Sequence, residues 1–436
     1  MSRRLKNTVP ERQVDWATTK GTYRFWSNKS ITPKALVDYH FCQVEQSLCQ
    51  SGSLTRVLQL CDYTELDYTG SRSAASLGPL SYTKQRGMHL YNSMIVNSLG
   101  CPMGLLKQSY HIRSDVDFGT SKTQCNKRLP EEKESYHWIE HFRRGQELVE
   151  RYDKLEVVFV ADREADFMEL FTQRTAPGMH FVIRSLYDRK LCDGINNLVP
   201  VVDSWSVQGR YEAHVMHSQT RKMRKAQLVV RFGSAEVKLA HPLPAKKDLP
   251  PVRLFVVDVR EVDNPGLDKN ELIHWRLLTT LNVESFQDAA LVIQYYLWRW
   301  LIERFHFLIK TGGTHVEKLQ LQTPHRLKNA ITTFSIAAMD AFKLRYLAEN
   351  SPNESIYSVG ISQIEHKVLY TYLHNKLKIT PGFDPDNPPT IKEYCIALGK
   401  IAGFFPSKRQ SIPGLIILTR AREKLDSLID AYLTFQ

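Results

Sequence analysis

Residues Glu156–Phe171 read EVVFVADREADFMELF and contain the clearest strand-to-helix unit of the chain. The run Val157–Ala161 is continuously apolar, as expected for a strand buried on both faces of a sheet. Ligands of open α/β sheets bind where strands end, so Asp162, which follows this strand directly, is a candidate site residue. Asp162 also suits a helix N-cap, and Glu164 and Asp166 suit first-turn acids that complement the helix dipole. The unit predicts an α/β fold.

Three strand-like stretches precede this unit and predict an antiparallel meander. They cover residues 56–68, 88–100 and 102–113, with a tight turn at Leu99–Pro102 between the last two. Asp62 comes at the end of the apolar run Val57–Cys61, where a carboxylate lowers strand stability. A capping or turn role and a functional role are both open for Asp62.

A later stretch, Tyr295–Gly313, reads YYLWRWLIERFHFLIKTGG and predicts an amphipathic core helix. On one continuous α-helix, Tyr296, Arg299, Glu303 and Lys310 share a wedge about 60° wide. Two interpretations are open. Arg299 and Glu303 form an ordinary i,i+4 ion pair, or a carboxylate flanked by cations belongs to a metal-assisted phosphate site.

Composition and charge limit the kinds of partner. The chain has 436 residues, with 42% hydrophobic and 24% charged side chains, as in a globular protein of about two to four domains. A formal net charge of +12 indicates a polyanionic partner such as nucleic acid. The seven cysteines include no Cys-x-x-Cys pair, which predicts reduced thiols and no zinc site. Without a long apolar run or a signal-peptide pattern, we expect a soluble intracellular protein.

The flanking regions predict the organisation of the chain. The first fifty residues are basic with helical patterns, the second beginning at Pro33 with Thr32 as its N-cap. Within them, TYRFWSN (22–28) suits either DNA contact or a small packing cluster. Residues 187–275 alternate in polarity between Gly and Pro turns, which predicts a β-rich insertion. Beyond Lys310 the patterns are helical and fit an oligomerisation bundle or a domain cap.

Three acidic residues follow or lie on predicted core elements. Asp62 follows the first strand of a meander, Asp162 ends the next core strand, and Glu303 lies on a later helix. A meander followed by a strand-to-helix unit resembles the ribonuclease H layout, in which separated carboxylates meet at one sheet edge. Carboxylate oxygens are preferred ligands of Mg²⁺, and two such ions can hold both oxygens of a phosphoryl transfer.

Together these motifs resemble the DDE transposases of the insertion-sequence-four superfamily, the family of the transposon five transposase. The family signature is Tyr, two residues, Arg, three residues, Glu, six residues, Lys, and Tyr296, Arg299, Glu303 and Lys310 satisfy each spacing. DREAD (162–166) resembles the second-acid motif of the family, and CDYTELDY (61–68) resembles the segment around its first acid. The resemblance covers residues 20 to 345 and extends faintly to LGKIAGFFPSKR (398–409), which resembles the dimerisation region.

The resemblance implies a role for each matching residue. Asp62, Asp162 and Glu303 would be the catalytic metal ligands for two Mg²⁺ ions, with Mn²⁺ as a substitute. Tyr296, Arg299 and Lys310 would hold phosphates of the transposon end and a displaced nucleotide. Arg184, at the exit of the strand HFVIRS (180–185), matches an arginine beside the active-site DNA. Trp275 lies 21 residues before the signature tyrosine, where such enzymes stack a flipped base during hairpin formation.

The implied fold is a ribonuclease H-like catalytic core with a β-rich insertion between the second and third acids and a C-terminal helical region. The expected segments are a DNA-contacting segment (1–50), the first part of the core (51–186), the insertion (187–275), the last part of the core (276–345) and a helical dimerisation region (346–436).

The implied activity is cut-and-paste transposition by a homodimer on double-stranded DNA, in a cytoplasmic, nucleoid-associated setting. Family members carry a longer N-terminal DNA-recognition segment. Here TYRFWSN comes only about twenty residues after Met1, which favours the alternative of a non-catalytic transposition inhibitor. A general ribonuclease H-fold nuclease, which would not need the hairpin-forming Trp275, is a further alternative.

Overall fold

The structure is a computed structural model that describes residues 16–50, 56–82, 84–116, 118–119, 128–216, 223–238, 251–262, 264 and 267–434. The chain divides into two compact units. The sheet unit comprises residues 51–62 and 119–302, and the helical unit comprises residues 1–50, 63–118 and 303–436.

The secondary structure of the described residues is mixed α/β. The strands are β1 Arg56–Asp67, β2 Gly78–Pro79, β3 Arg86–Asn97, β4 Pro102–His111, β5 Glu156–Ala161, β6 Met179–Arg184, β7 Gly209–Met216, β8 Met223–Val237, β9 Val252–Glu261 and β10 His274–Thr279. The α-helices are α1 Trp16–Ser27, α2 Pro33–Gln50, α3 Tyr136–Arg151, α4 Met168–Phe171, α5 Leu198–Ser204, α6 Phe286–Trp298, α7 Trp300–Phe307, α8 Pro324–Asn350, α9 Gln363–Thr371, α10 Ile391–Ile401 and α11 Leu415–Thr434.

The sheet unit is built on a large mixed sheet with the strand order β1-β5-β6-β10-β9-β8-β7. Strand β5 pairs in parallel with β1 on one side and with β6 on the other. All other neighbouring pairs, from β6–β10 to β7–β8, are antiparallel. The central β5 is almost wholly apolar because both of its faces are covered, and Val157–Ala161 is fully buried. The α/β expectation is confirmed at this level.

Helix α3 covers one face of the sheet unit. Its Phe142 meets Phe159 of β5 edge-to-face, with ring centroids 5.4 Å apart. The buried Gln59 amide of β1 donates a 2.6 Å hydrogen bond to the carbonyl of His141 in the same helix. The helix begins at Tyr136, after a short 3-10 turn over Pro130–Glu132.

The helical unit contains β2, β3 and β4, which pair antiparallel in that order. Asn97 turns the chain between β3 and β4, because its side-chain oxygen accepts the backbone N–H groups of Leu99 and Cys101. Helices α8, α10 and α11 enclose an apolar core around Tyr394 and Leu398, both fully buried.

N-terminal capping in the helical unit agrees with the sequence. The hydroxyl of Thr32 accepts the N–H of Ala35 at 3.2 Å at the start of α2. By sequence, the segment TYRFWSN (22–28) is open to a role in DNA contact or in packing. Its Trp26 is buried and donates its indole N–H to Thr333 at 3.2 Å, so this side chain packs in the interior.

The predicted continuous helix over Tyr295–Gly313 is wrong in detail. Helix α6 ends at Trp298, and Arg299 is a turn residue whose N–H bonds to the carbonyl of Tyr296. After α7 the chain forms a π-helical turn over Leu308–Gly312. A π-helix rotates through a smaller angle per residue than an α-helix does. Lys310 therefore departs from the 100° spacing that placed it in the wedge.

No helix in the described ranges is both long and apolar enough to cross a membrane.

Candidate active site

The carboxyl ends of β5 and β6 form one edge of the sheet unit. Asp162 follows β5 directly, and Arg184 is the last residue of β6. Strand β10 runs antiparallel to β6, with Leu277 opposite Arg184, so Trp275 near the start of β10 lies at this same edge. A hydrogen bond of 3.1 Å from Arg184 Nη2 to the carbonyl of His274 joins the two strands there.

Asp62 lies within β1, which continues to Asp67, so the expectation that Asp62 ends this strand is wrong; along the β1–β5 pair it is level with Asp162. In the parallel β1–β5 pair the last matched residues are Leu60 and Val160, and each acid follows two residues later. Neighbouring strands are about 4.8 Å apart, so the two carboxylates leave the sheet side by side. Asp62 pairs with Arg299 at 3.1 Å, and both side chains are mostly buried, at 14% and 13% exposure.

Tyr296 lies at the centre of this group and is buried. Its ring meets Trp275 edge-to-face at 5.2 Å, and the Arg299 guanidinium lies 5.5 Å from its centroid. Burial raises the pKa of Tyr296 above its usual value, the charges of Arg299 and Arg184 oppose this rise, and Asp162 adds to it. A hydrogen bond with Arg184 also lowers the pKa, yet the net direction is upward, so the phenol stays neutral.

Asp162 is an N-cap, as the simpler interpretation expected. Its Oδ1 accepts the N–H of Glu164 at 2.9 Å at the start of a 3-10 turn over Arg163–Ala165. This capping bond occupies one oxygen of the carboxylate. A capping acid at a strand end can therefore also present its other oxygen to a ligand.

The first-turn interpretation of Asp166 is wrong. This carboxylate is fully buried and forms an ion pair with Arg189 at 2.6 Å. It also accepts the backbone N–H groups of Leu186 and Tyr187 at 2.6 and 3.2 Å. Asp166 therefore fastens the segment after β6, and sequence spacing gave no sign of it because Arg189 lies 23 residues away.

A second charged group, missed by the sequence, surrounds Asp258 of β9. Asp258 is fully buried and contacts Arg260 at 2.8 Å, His274 at 3.0 Å and Arg276 at 3.3 Å. Burial disfavours its ionised form, but the His274 hydrogen bond and the two arginines outweigh this, and the pKa of Asp258 is lowered. The cross-strand register places Arg276 opposite Asp258, a pairing that requires knowledge of the sheet.

Glu303 and Lys310 belong to the helical unit. Glu303 lies in the first turn of α7, one helical turn beyond Arg299 along the chain. Lys310 lies in the π-helical turn and donates from Nζ to the carbonyl of Glu65 at 2.7 Å. The Lys310 Nζ is also 3.3 Å from a carboxylate oxygen of Glu317.

The donor chemistry at the edge suits a hard cation, since Asp62 and Asp162 offer carboxylate oxygens. Within the described residues, however, no group of three His, Cys, Asp or Glu side chains lies close enough to hold a metal ion. Asp62 is paired with Arg299 in this arrangement. The two acids are a partial ligand set rather than a closed site.

No protein-family model matches the sequence. Among solved structures, the chain is similar to a piggyBac transposase synaptic complex with hairpin DNA, with a TM-score of 0.36 and 10% identity. The match covers 93% of this chain and 61% of that chain, so this chain spans less than two thirds of the transposase. A TM-score below 0.5 does not establish a shared fold.

Proposed function

We propose that this protein is a cut-and-paste DNA transposase of the DDE type. The observation that carries the proposal is the grouping of predicted site residues around Tyr296. Trp275, Arg299, Arg184 and Asp162 all act on this one buried side chain. They come from four separate parts of the sequence, and the motif resemblance had selected each of them.

A ribonuclease H-like core is part of this proposal. Three parallel strands, β1, β5 and β6, lie side by side in the sheet unit. Asp62 of β1 is level with Asp162, which follows β5 directly. Two strands of the expected meander, β3 and β4, pair antiparallel in the helical unit. Both features support the layout that the acids require.

The proposed metal ligands are Asp62, Asp162 and Glu303, with two Mg²⁺ ions and Mn²⁺ as a substitute. When bound, such ions activate the attacking oxygen and stabilise the leaving oxygen of a phosphodiester. Arg299 is then positioned to exchange its Asp62 contact for a DNA phosphate. A guanidinium suits this role because its planar donors bind phosphate oxygens in pairs.

The other residues act on DNA. Arg184 and Lys310 contribute positive charge near the reacting phosphate. The neutral phenol of Tyr296 donates a hydrogen bond to a phosphate oxygen. Trp275 stacks a base that has left the helix, which is the step that permits a hairpin.

The proposed reaction is a series of substitutions at phosphorus. A water oxygen first bonds to the phosphorus at the element's end, the P–O3′ bond breaks, and the water proton passes to solvent. The freed 3′-hydroxyl then attacks a phosphorus of the opposite strand, whose P–O3′ bond breaks, so that a hairpin forms and the flanking DNA leaves with a 3′-hydroxyl. A second water attacks the hairpin phosphorus, and the bond to the element's 3′-oxygen breaks, which restores the 3′-hydroxyl. This 3′-hydroxyl finally attacks a target phosphorus and displaces the 3′-oxygen of the target strand.

The proposed partners follow from charge and from the reaction. A net charge of +12 favours binding to double-stranded DNA, both transposon ends and target. Two ends must be held together for transposition, so we propose a homodimer in a synaptic complex. We place this complex at the nucleoid, in the cytoplasm.

A plasmid assay tests the proposal. Purified protein is incubated with a plasmid that carries the DNA flanking this gene on both sides, with and without Mg²⁺. Nicked, hairpin and strand-transferred products are expected only in the reactions that contain Mg²⁺. Glu303→Gln serves as the matched control, because it keeps the size of the side chain and removes its charge.

Three results would count against the proposal. DNA binding without any nick indicates the non-catalytic inhibitor. Cutting at random positions indicates a general nuclease. Equal cutting by Glu303→Gln removes the proposed third metal ligand.

A further inference from the structure

A chain of buried hydrogen bonds crosses the interior of the helical unit and ends on α7. Asn92 of β3 is fully buried, and its Nδ2 lies 3.0 Å from Nε2 of His306. The Oδ1 of Asn92 accepts a 2.8 Å hydrogen bond from Nε2 of Gln108 in β4. Both Gln108 and His306 are themselves buried. His306 is thus tied to two strands of the meander.

The chain continues from β4 to α8. The Gln108 amide nitrogen also bonds to the Ser335 hydroxyl at 3.1 Å, and its oxygen accepts from Thr332 at 2.6 Å. The hydroxyl of Tyr110 lies 2.8 Å from both Gln108 Oε1 and Thr332 Oγ1. Burial raises the pKa of Tyr110, so its hydroxyl remains a neutral donor. Both atoms of the Gln108 amide are therefore used.

This connectivity fixes the hydrogen-bonding role of His306. Because Asn92 Oδ1 accepts from Gln108, the Asn92 group that faces His306 is the NH₂ donor. His306 Nε2 must then accept, which leaves the ring proton on Nδ1. A fully satisfied buried network of this kind strongly favours one arrangement of its members.

We propose that His306 is a positioning residue for the carboxylate of Glu303. This inference rests on the proposed function. His306 follows Glu303 by three residues in α7, so the two side chains project from neighbouring positions of the same helix. Locking the imidazole to Asn92 fixes the rotation of α7 about its axis and hence the direction of the acid. The π-helical turn that follows at Leu308 interrupts the regular helix, so the His306 contact restrains the helix just before that irregular turn.

The decisive comparison is between two substitutions of nearly equal size. In His306→Gln the side-chain amide oxygen can reach the position of Nε2 and accept from Asn92. In His306→Met the volume is kept but the acceptor is lost. We expect His306→Met to slow single-turnover nicking by about 30- to 100-fold, since a misplacement of about 1 Å can cost 10²-fold. His306→Gln should recover the rate to within about fivefold of wild type.

Two further measurements separate positioning from mere structure. The dissociation constant for end DNA should change less than about threefold in both variants, so the loss appears in the rate at saturating DNA. The thermal midpoint of His306→Met and its circular dichroism spectrum identify any folding defect. Parallel loss of folding, DNA affinity and rate in both variants would reduce His306 to a structural residue and overturn the inference.

The result for wild type distinguishes a failure of the His306 positioning role from a failure of the transposase proposal. If wild type nicks DNA and His306→Met nicks equally fast, the positioning role is wrong and the transposase proposal stands. If wild type does not nick DNA at all, the transposase proposal fails, and the positioning role fails with it.

Discussion

His40 makes the stability of the helical unit depend on pH between 4 and 6.5. This histidine of α2 is buried, and its Nε2 accepts the backbone N–H of Leu105 in β4 at 3.2 Å. Burial, with a further contribution from the Lys343 cation, lowers the pKa of His40 from 6.5 to about 4. The folded unit therefore holds His40 neutral at pH values where the unfolded chain protonates it.

The size and sign of the effect follow from linkage. The unfolded state binds more protons between the two pKa values, so stability is complete above pH 6.5 and falls as pH decreases toward 4. One pKa unit corresponds to about 1.36 kcal/mol, and at pH 4 the folded His40 is already half protonated. The expected loss in the free energy of unfolding by pH 4 is about 3 kcal/mol.

Urea unfolding at pH 7.0 and pH 4.0 measures this loss, with His40→Gln as the matched variant. Glutamine can still accept the Leu105 N–H but does not titrate, so its stability should fall by about 3 kcal/mol less than that of wild type. Hydrogen exchange of the peptide that contains Leu105 should accelerate at pH 4 in wild type beyond the intrinsic pH effect. Identical pH dependence of the two proteins would refute the assignment of the shift to His40.

Three further outcomes follow from contacts in the sheet unit. Trp275→Ala should leave the rate of the first nick within about threefold of wild type but reduce the hairpin product by about tenfold or more, because base–aromatic stacking contributes about 1–3 kcal/mol. Gel analysis of end-labelled DNA separates the nicked and hairpin products. Equal loss of both products would contradict the stacking role. Asp258→Asn should lower the free energy of unfolding at pH 7 by about 3 kcal/mol, because the cations around Asp258 lose their buried partner. Because the pKa of Asp258 is lowered on folding, its contribution to stability is present above the unfolded pKa and is lost as pH falls through the folded pKa. The stability difference between wild type and Asp258→Asn, measured by urea unfolding, should therefore shrink in acid. A difference that stays constant with pH would disprove its ionic origin. Arg299→Lys should lower the nicking rate by a factor about ten times larger than the factor by which it weakens DNA binding, because lysine keeps the charge but not the paired donors. An unchanged nicking rate would exclude a bidentate phosphate contact.

The sequence predicted the central part of the sheet because its signals are local. Continuous apolar runs identified β1 and β5 as buried strands, and the acid after each run indicated the candidate site. The grouping of Arg184 and Trp275 with these acids needed two facts absent from local patterns. One is that β10 runs antiparallel beside β6, and the other is that its register places Leu277 opposite Arg184.

The errors have a common physical origin. A helical wheel assumes constant rotation per residue, so it could not register the turn at Arg299 or the π-helical turn after α7. Asp166 was misinterpreted because its partner Arg189 lies 23 residues away, and the group around Asp258 was missed because His274 and Arg276 lie on the neighbouring strand β10. Buried charges are costly unless paired, but a sequence does not reveal which side chains are buried.

The contact between Arg299 and Asp62 bears on the two interpretations of the charged stripe, an i,i+4 ion pair or a phosphate site, both of which stay predictions. A solvated i,i+4 pair contributes only a few tenths of a kcal/mol and requires no distant partner. Here the guanidinium is 13% exposed and bonds to an acid from another strand, while also lying over the ring of Tyr296. Removing a charged pair from water carries a desolvation cost that its mutual attraction repays poorly. The cost of burying Arg299 beside Asp62 is therefore consistent with the proposed phosphate contact, which the Arg299→Lys variant tests.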